Sequence, residues 1–122
     1  MDTSLLFSPE QKLRMIEEYV PGKQITLAHI IANPDASLFD TMGFTPVGDP
    51  AIGIVTITPG EAALIMGDIA IKASGAKVSF LDRADGAMIL TGSVSQVEAS
   101  LQALVAYAEE KLHFSVCEIT RT

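Results

Sequence analysis

The segment from Gly60 to Ala73 restricts the fold more than any other. Only Glu61, Asp68 and Lys72 carry charge there, set among Ala62, Ala63, Leu64, Ile65, Met66, Ile69, Ala70, Ile71 and Ala73. A surface helix of a small monomer shows one apolar stripe and one polar face. A helix that is apolar almost all round therefore needs a sheet on one side and a second cover on the other. A chain of 122 residues has room for one domain and one core. The second cover is then expected to be another subunit.

The surrounding stretch, Ala51 to Thr91, reads as strand, helix, strand, tight turn, strand. Ile52, Ile54 and Thr56 alternate with Gly53, Val55 and Ile57 and leave little polar on either face, as in a mid-sheet strand covered on both sides. Thr58-Pro59-Gly60-Glu61 has the form of a capping box with proline at the first helical position. Gly75 is the expected stop, through the left-handed conformation glycine adopts without a Cβ penalty. Asp85-Gly86 supplies a hairpin corner.

Residues 1 to 20 fit a helix starting at Ser8-Pro9, with Leu13, Ile16 and Val20 on one face, and fit equally a short strand from Met15 to Val20. Pro21-Gly22 is a turn, and Gln24 to Ala32 alternates as a strand. Asn33-Pro34 starts a short helix that ends at Gly43, and Phe44 to Pro50 is a loop. Ser93 or Ser95 caps a helix whose stripe is Val97, Leu101, Leu104, Val105, Ala108 and Leu112. Phe114 to Ile119 is a further strand candidate. From Ala51 onward the order is β-α-β-β-α-β, an α+β class with the split βαβ arrangement of ferredoxin-like folds, which by itself assigns no function.

Several function classes drop out. Apolar residues make up 48% of the chain and mean hydropathy is +0.36, yet no apolar run approaches the roughly 18 to 20 residues that span a bilayer. A net charge of -7 argues against nucleic acid and anionic membrane as partners. The single Cys117 gives no intramolecular disulfide framework, and the first residues lack the basic-then-apolar pattern of a secretion signal, so the cytoplasm is the expected location. No phosphate-loop, zinc-protease or serine-hydrolase motif occurs, and no cofactor, metal site or catalytic residue is expected.

Three blocks taken together, EYVPGKQITLAHIIANP, AIGIVTITPGEAALIMGDIAIKASGAKVSFLDR and GAMILTGSVSQVE, resemble bacterial microcompartment shell proteins. The likeness is to the circularly permuted, hexamer-forming kind of propanediol and ethanolamine utilisation. It covers roughly residues 15 to 122 and implies a permuted shell domain over residues 23–122, with an N-terminal extension over 1–22. It also moves the fourth sheet position from Phe114–Ile119 to Gln24–Ala32, leaving 114–122 as an added edge segment.

The resemblance further implies a homohexameric tile meeting other shell proteins along its edges, with encapsulated enzymes or their targeting peptides as further partners. The turn Asp82, Arg83, Ala84, Asp85, Gly86 would face the six-fold axis. Six copies of Met15, Ile16, Glu17, Glu18, Tyr19 and Val20 would close a parallel β-barrel capping it. Lys72, within DIAIKASGAKV, would be the edge lysine. Each assignment has a plainer rival: Lys72 pairs with Asp68 one turn away, the turn is a solvated hairpin, and Glu17-Glu18 is solvated charge. His29 is a satisfied core or interface histidine, His113 suits a helix C-terminus, and Cys117 is structural. Two other readings of the chain remain, a ferredoxin-like oligomeric binding module for a small ligand or cargo docking, and a small oligomeric enzyme. The second lacks any paired acid, base or nucleophile.

Overall fold

The computed structural model describes residues 22–43, 45–46 and 48–122. Their elements are β1 (Gln24–Ala32), α1 (Ala36–Met42), β2 (Pro50–Thr58), α2 (Ala62–Ala73), β3 (Lys77–Asp82), β4 (Ala87–Ser93), α3 (Val94–Glu110) and β5 (Thr120–Arg121). The strands form one five-stranded sheet in the order β3-β4-β2-β1-β5. β2 is central as expected, antiparallel to both β1 and β4. β1, which precedes the β-α-β-β-α block in the chain, holds the fourth position. The resemblance is upheld there, and the bottom-up placement of Phe114–Ile119 is corrected: that segment only bridges at Ser115, and β5 begins at Thr120.

One face of the sheet carries the core. Ala28, Ile30, Ala51, Val55, Ile57, Met88 and Leu90 lie beneath Ala63, Met66 and Ala70 of α2 and Val97, Leu101, Leu104 and Ala108 of α3. Gly53 lets α3 approach closely, since a Cβ there would stand 2.8 Å from a Val97 methyl. The helices are joined by one buried polar knot, in which the Ser100 hydroxyl donates to the Ala70 carbonyl at 2.7 Å and lies 2.7 Å from Ser74 Oγ. A fully buried hydroxyl is tolerable because it is satisfied in this way.

The helix ends depart from the local signals in three places. α2 does not begin with a Thr58 capping box. Thr58 is the last residue of β2, paired with Gln24, and the helix is entered through a tight turn in which Ala62, Ala63 and Leu64 amides donate to Pro59, Gly60 and Glu61 carbonyls. It ends at an extended Ser74, with φ -154°, and Gly75 is not left-handed. The Ser74 hydroxyl supplies the stop, accepting from the Ala76 amide at 3.0 Å and donating to the Gln96 carbonyl at 2.9 Å. α1 is capped by Asp35 rather than by Asn33-Pro34, although Gly43 closes it in the left-handed conformation as expected. Hydrogen bonds from the Ser37 hydroxyl and amide hold the Asp35 carboxyl below its ordinary pKa.

Candidate assembly surfaces and turn

The β3–β4 connection is a four-residue loop, Arg83 to Gly86. Asp82 organises it: its Oδ1 accepts from the Ala84 amide at 2.9 Å and the Asp85 amide at 3.2 Å, and its carbonyl accepts from Gly86 at 2.8 Å. Those amides, Asp85 first and then Ala84, hold the Asp82 carboxyl below its usual pKa. Gly86 has φ +74°, and a Cβ on it would collide with the Ile57 carbonyl oxygen; its own carbonyl accepts from the Ile57 amide at 2.7 Å. Across the same contact, a Cβ on Gly60 would collide with the Arg83 carbonyl oxygen. The β2–α2 connection and the β3–β4 turn therefore meet main chain to main chain, leaving Arg83, Ala84 and Asp85 exposed.

Lys72 lies at the other end of α2. At 1.5 Å per residue, Gly60 and Lys72 are separated by about 18 Å along the helix. Lys72 Nζ sits 2.8 Å from Asp68 Oδ2, with both side chains largely exposed. The Asp68 hydrogen bond, reinforced by its charge, raises the lysine pKa. The plain i,i+4 pairing is thus present within the subunit, and it leaves the lysine at the surface.

Two apolar surfaces are uncovered. The outer face of α2 presents Leu64, Ile65 and Ile71, each about half exposed at 52%, 46% and 55%. The sheet face turned away from the helices has three cross-strand rows: Leu27-Thr56-Ala87-Asp82, His29-Ile54-Ile89-Phe80 and Ile31-Ile52-Thr91-Lys77. Phe80 is 49% exposed and Leu27 39%. Double coverage of β2 was expected, and its second face is partly covered within the subunit: Ile52 is fully buried, while Ile54 and Thr56 are partly exposed.

His29, without a partner by sequence reasoning, has two. Nδ1 lies 2.6 Å from Thr120 Oγ1 and Nε2 2.9 Å from Thr122 Oγ1. The only sequence signal for this was the alternation of threonines at the C-terminal end. Cys117 is a free, half-buried thiol, and no group of three or more metal-ligating side chains occurs among the described residues. Met15 to Val20 lie outside the described residues. Among the described residues no helix is long and apolar enough to cross a membrane.

An α+β subunit with a rigid turn at one end of a helix, a surface lysine at the other, and two unlike apolar faces between them belongs to the class of assembly-forming structural subunits. The BMC domain family model matches residues 51–121. The chain is 52% identical over 109 residues to bacterial microcompartment shell protein PduU of Salmonella typhimurium, covering 89% of this chain and 93% of the relative. It is 47% identical over 111 residues to shell protein EutS of Escherichia coli, covering 91% and 98%. Among solved structures, the CutR flat hexamer superposes with a TM-score of 0.77 at 39% identity, over 83% of this chain and 92% of that one. The chain belongs to the bacterial microcompartment shell proteins. The family model begins at Ala51, whereas β1, integral to the sheet, lies before it, which is the permuted order.

Proposed function

We propose that this protein is a non-enzymatic homohexameric tile of a bacterial microcompartment shell. One observation carries the reading: each subunit exposes large apolar side chains on two unlike elements, Leu64, Ile65 and Ile71 on a helix and Leu27 and Phe80 on the sheet. Unlike faces join head to tail, and a head-to-tail contact gives a ring when its rotation closes. The Asp82–Gly86 turn lines the axis of that ring. Lys72, about 18 Å away along α2, lies at the perimeter and meets neighbouring tiles or other shell proteins. Six copies of Met15–Val20 close a barrel over the axis, since Ile16 and Val20 need a burial that a free tail does not give and a closed ring of strands leaves no open edge. The tile is then a poor metabolite channel, suited to a structural role or to docking encapsulated enzymes, and its place is the shell inside the cytoplasm.

Light scattering of the purified protein tests the ring; a stable folded monomer at micromolar concentration overturns it. A structure of the intact hexamer tests the cap. Residues 15–20 as strands around the axis support it, and the same residues as helices beside an open channel overturn it.

A further inference from the structure

β1 is an uncharged, β-branched run, Ile25 to Ala32, that β2 pairs on one side only. Such a strand presents its other row of amides and carbonyls as a template for any extended peptide. The C-terminal segment occupies that row, and does so discontinuously. At one end the Ile25 amide donates to Ser115 at 2.9 Å and the Ser115 amide to Lys23 at 3.0 Å. The chain then leaves the edge, packing Val116, Cys117 and Ile119 against the core. It returns parallel to β1 with His29 opposite Thr120, the Thr122 amide donating to Ile30 at 2.9 Å and the Ala32 amide to Thr122 at 2.9 Å. Both imidazole nitrogens of His29 are spent on the hydroxyls of Thr120 and Thr122. Residues two apart on a strand share a face, so one histidine reads a Thr-x-Thr spacing.

We propose that the outer edge of β1 is a strand-acceptor site for an extended segment running parallel to it with hydroxyl residues two apart, and that the C-terminal segment is its resident, displaceable occupant. Backbone pairing supplies affinity and His29 supplies register and selectivity, the division of labour of strand-addition sites generally. The occupant also keeps an aggregation-prone edge from pairing with another copy.

The test uses the chain ending at His113 and a fluorescent peptide of residues 114–122 with Cys117→Ser. Saturable binding is expected, and a peptide carrying valine at both threonine positions should bind roughly tenfold or more weakly, for the loss of two hydrogen bonds. A folded truncated chain that takes neither peptide, or both equally, overturns the proposal. Because Phe114 is buried, the truncated chain is a stringent host. Hydrogen exchange on the intact protein decides the matter if that chain does not fold. The Ala32 and Thr122 amides should exchange through local release of the segment, well ahead of the Ile57 amide bonded to Gly86. Exchange of all three only with global unfolding overturns displaceability.

Discussion

Helices α2 and α3 lie side by side on the same sheet face, yet they are held in opposite ways. α3 carries its own instructions: Ser93 accepts from the Gln96 amide while the Gln96 side chain takes the Ser93 amide at 2.9 Å, a complete capping box. Its buried residues, Val94, Val97, Ser100, Leu101, Leu104 and Ala108, form one stripe. α2 has no side-chain cap, and its start is fixed by main chain from another part of the molecule. Its apolar residues run onto an uncovered face. One helix is defined locally and finished within the subunit; the other is defined by tertiary contact and leaves apolar side chains exposed on its outer face.

The contrast is most open to attack on the outer face of α2. Changing Leu64 and Ile71 together to aspartate should leave a folded subunit and dissociate the ring. Each large aliphatic side chain buried at an interface contributes about 1.5–3 kcal/mol, and sedimentation would reveal the monomer. A hexamer of wild-type stability in that variant would mean that this face stays wet. Next in size is Gly60→Ala. The added methyl meets the Arg83 carbonyl rather than a yielding side chain, so a loss of about 3 kcal/mol is expected by chemical denaturation. The corresponding change at the start of α3, Ser93→Ala, should cost only about 1 kcal/mol, the worth of an ordinary cap. Equal losses from the last two would erase the distinction between the helices.

Smaller still on subunit stability is Lys72→Asp, which removes only a solvent-exposed i,i+4 pair. The hexamer should survive, while co-purification with shells should fail, because with Lys72 at the perimeter, as proposed, the reversed charge would repeat along every edge. The least effect is acid titration of Asp82. Its folded pKa lies below the unfolded one, so its contribution is complete above about pH 4 and fades as pH falls through the folded value. Carbon-13 NMR should place its midpoint below those of exposed aspartates, and Asp82→Asn should remove that part of the acid dependence.

This division between the helices also explains what was legible in the sequence. α3 and its stripe could be read, and its cap narrowed to Ser93 or Ser95, because every determinant lies within a few residues of the next. The strands around β2 were legible from alternation. The start of α2 was misread because Thr58-Pro59-Gly60-Glu61 satisfies the local rule for a cap, while Thr58 is drawn into β2 by pairing with Gln24, far away in the chain. Ser74 overrode Gly75 for the same reason, through its hydrogen bond to the distant Gln96 carbonyl. The position of β1 came from family likeness alone, since periodicity reveals a strand but not its neighbour. Nothing local to His29 announces Thr120 and Thr122. Of the candidate site, the hairpin turn and the Lys72–Asp68 pairing could be read from local spacing, and the main-chain contacts of Gly60 with Arg83 and of Gly86 with Ile57 that fix the turn could not.

Those contacts have an evolutionary corollary. The course of the turn is dictated chiefly by the Asp82 carboxylate and by main-chain contacts of Gly86, Gly60 and Ile57, while the side chains at 83 to 85 stand exposed. Those three positions behave as interchangeable lettering on a fixed frame, so mutation can rewrite charge, size and polarity there without retesting the fold. With the turn at the axis, as proposed, every codon altered would be printed once per subunit around it. Lineages can therefore vary the chemistry of this surface in few steps, and a designer can do so on an unchanged scaffold.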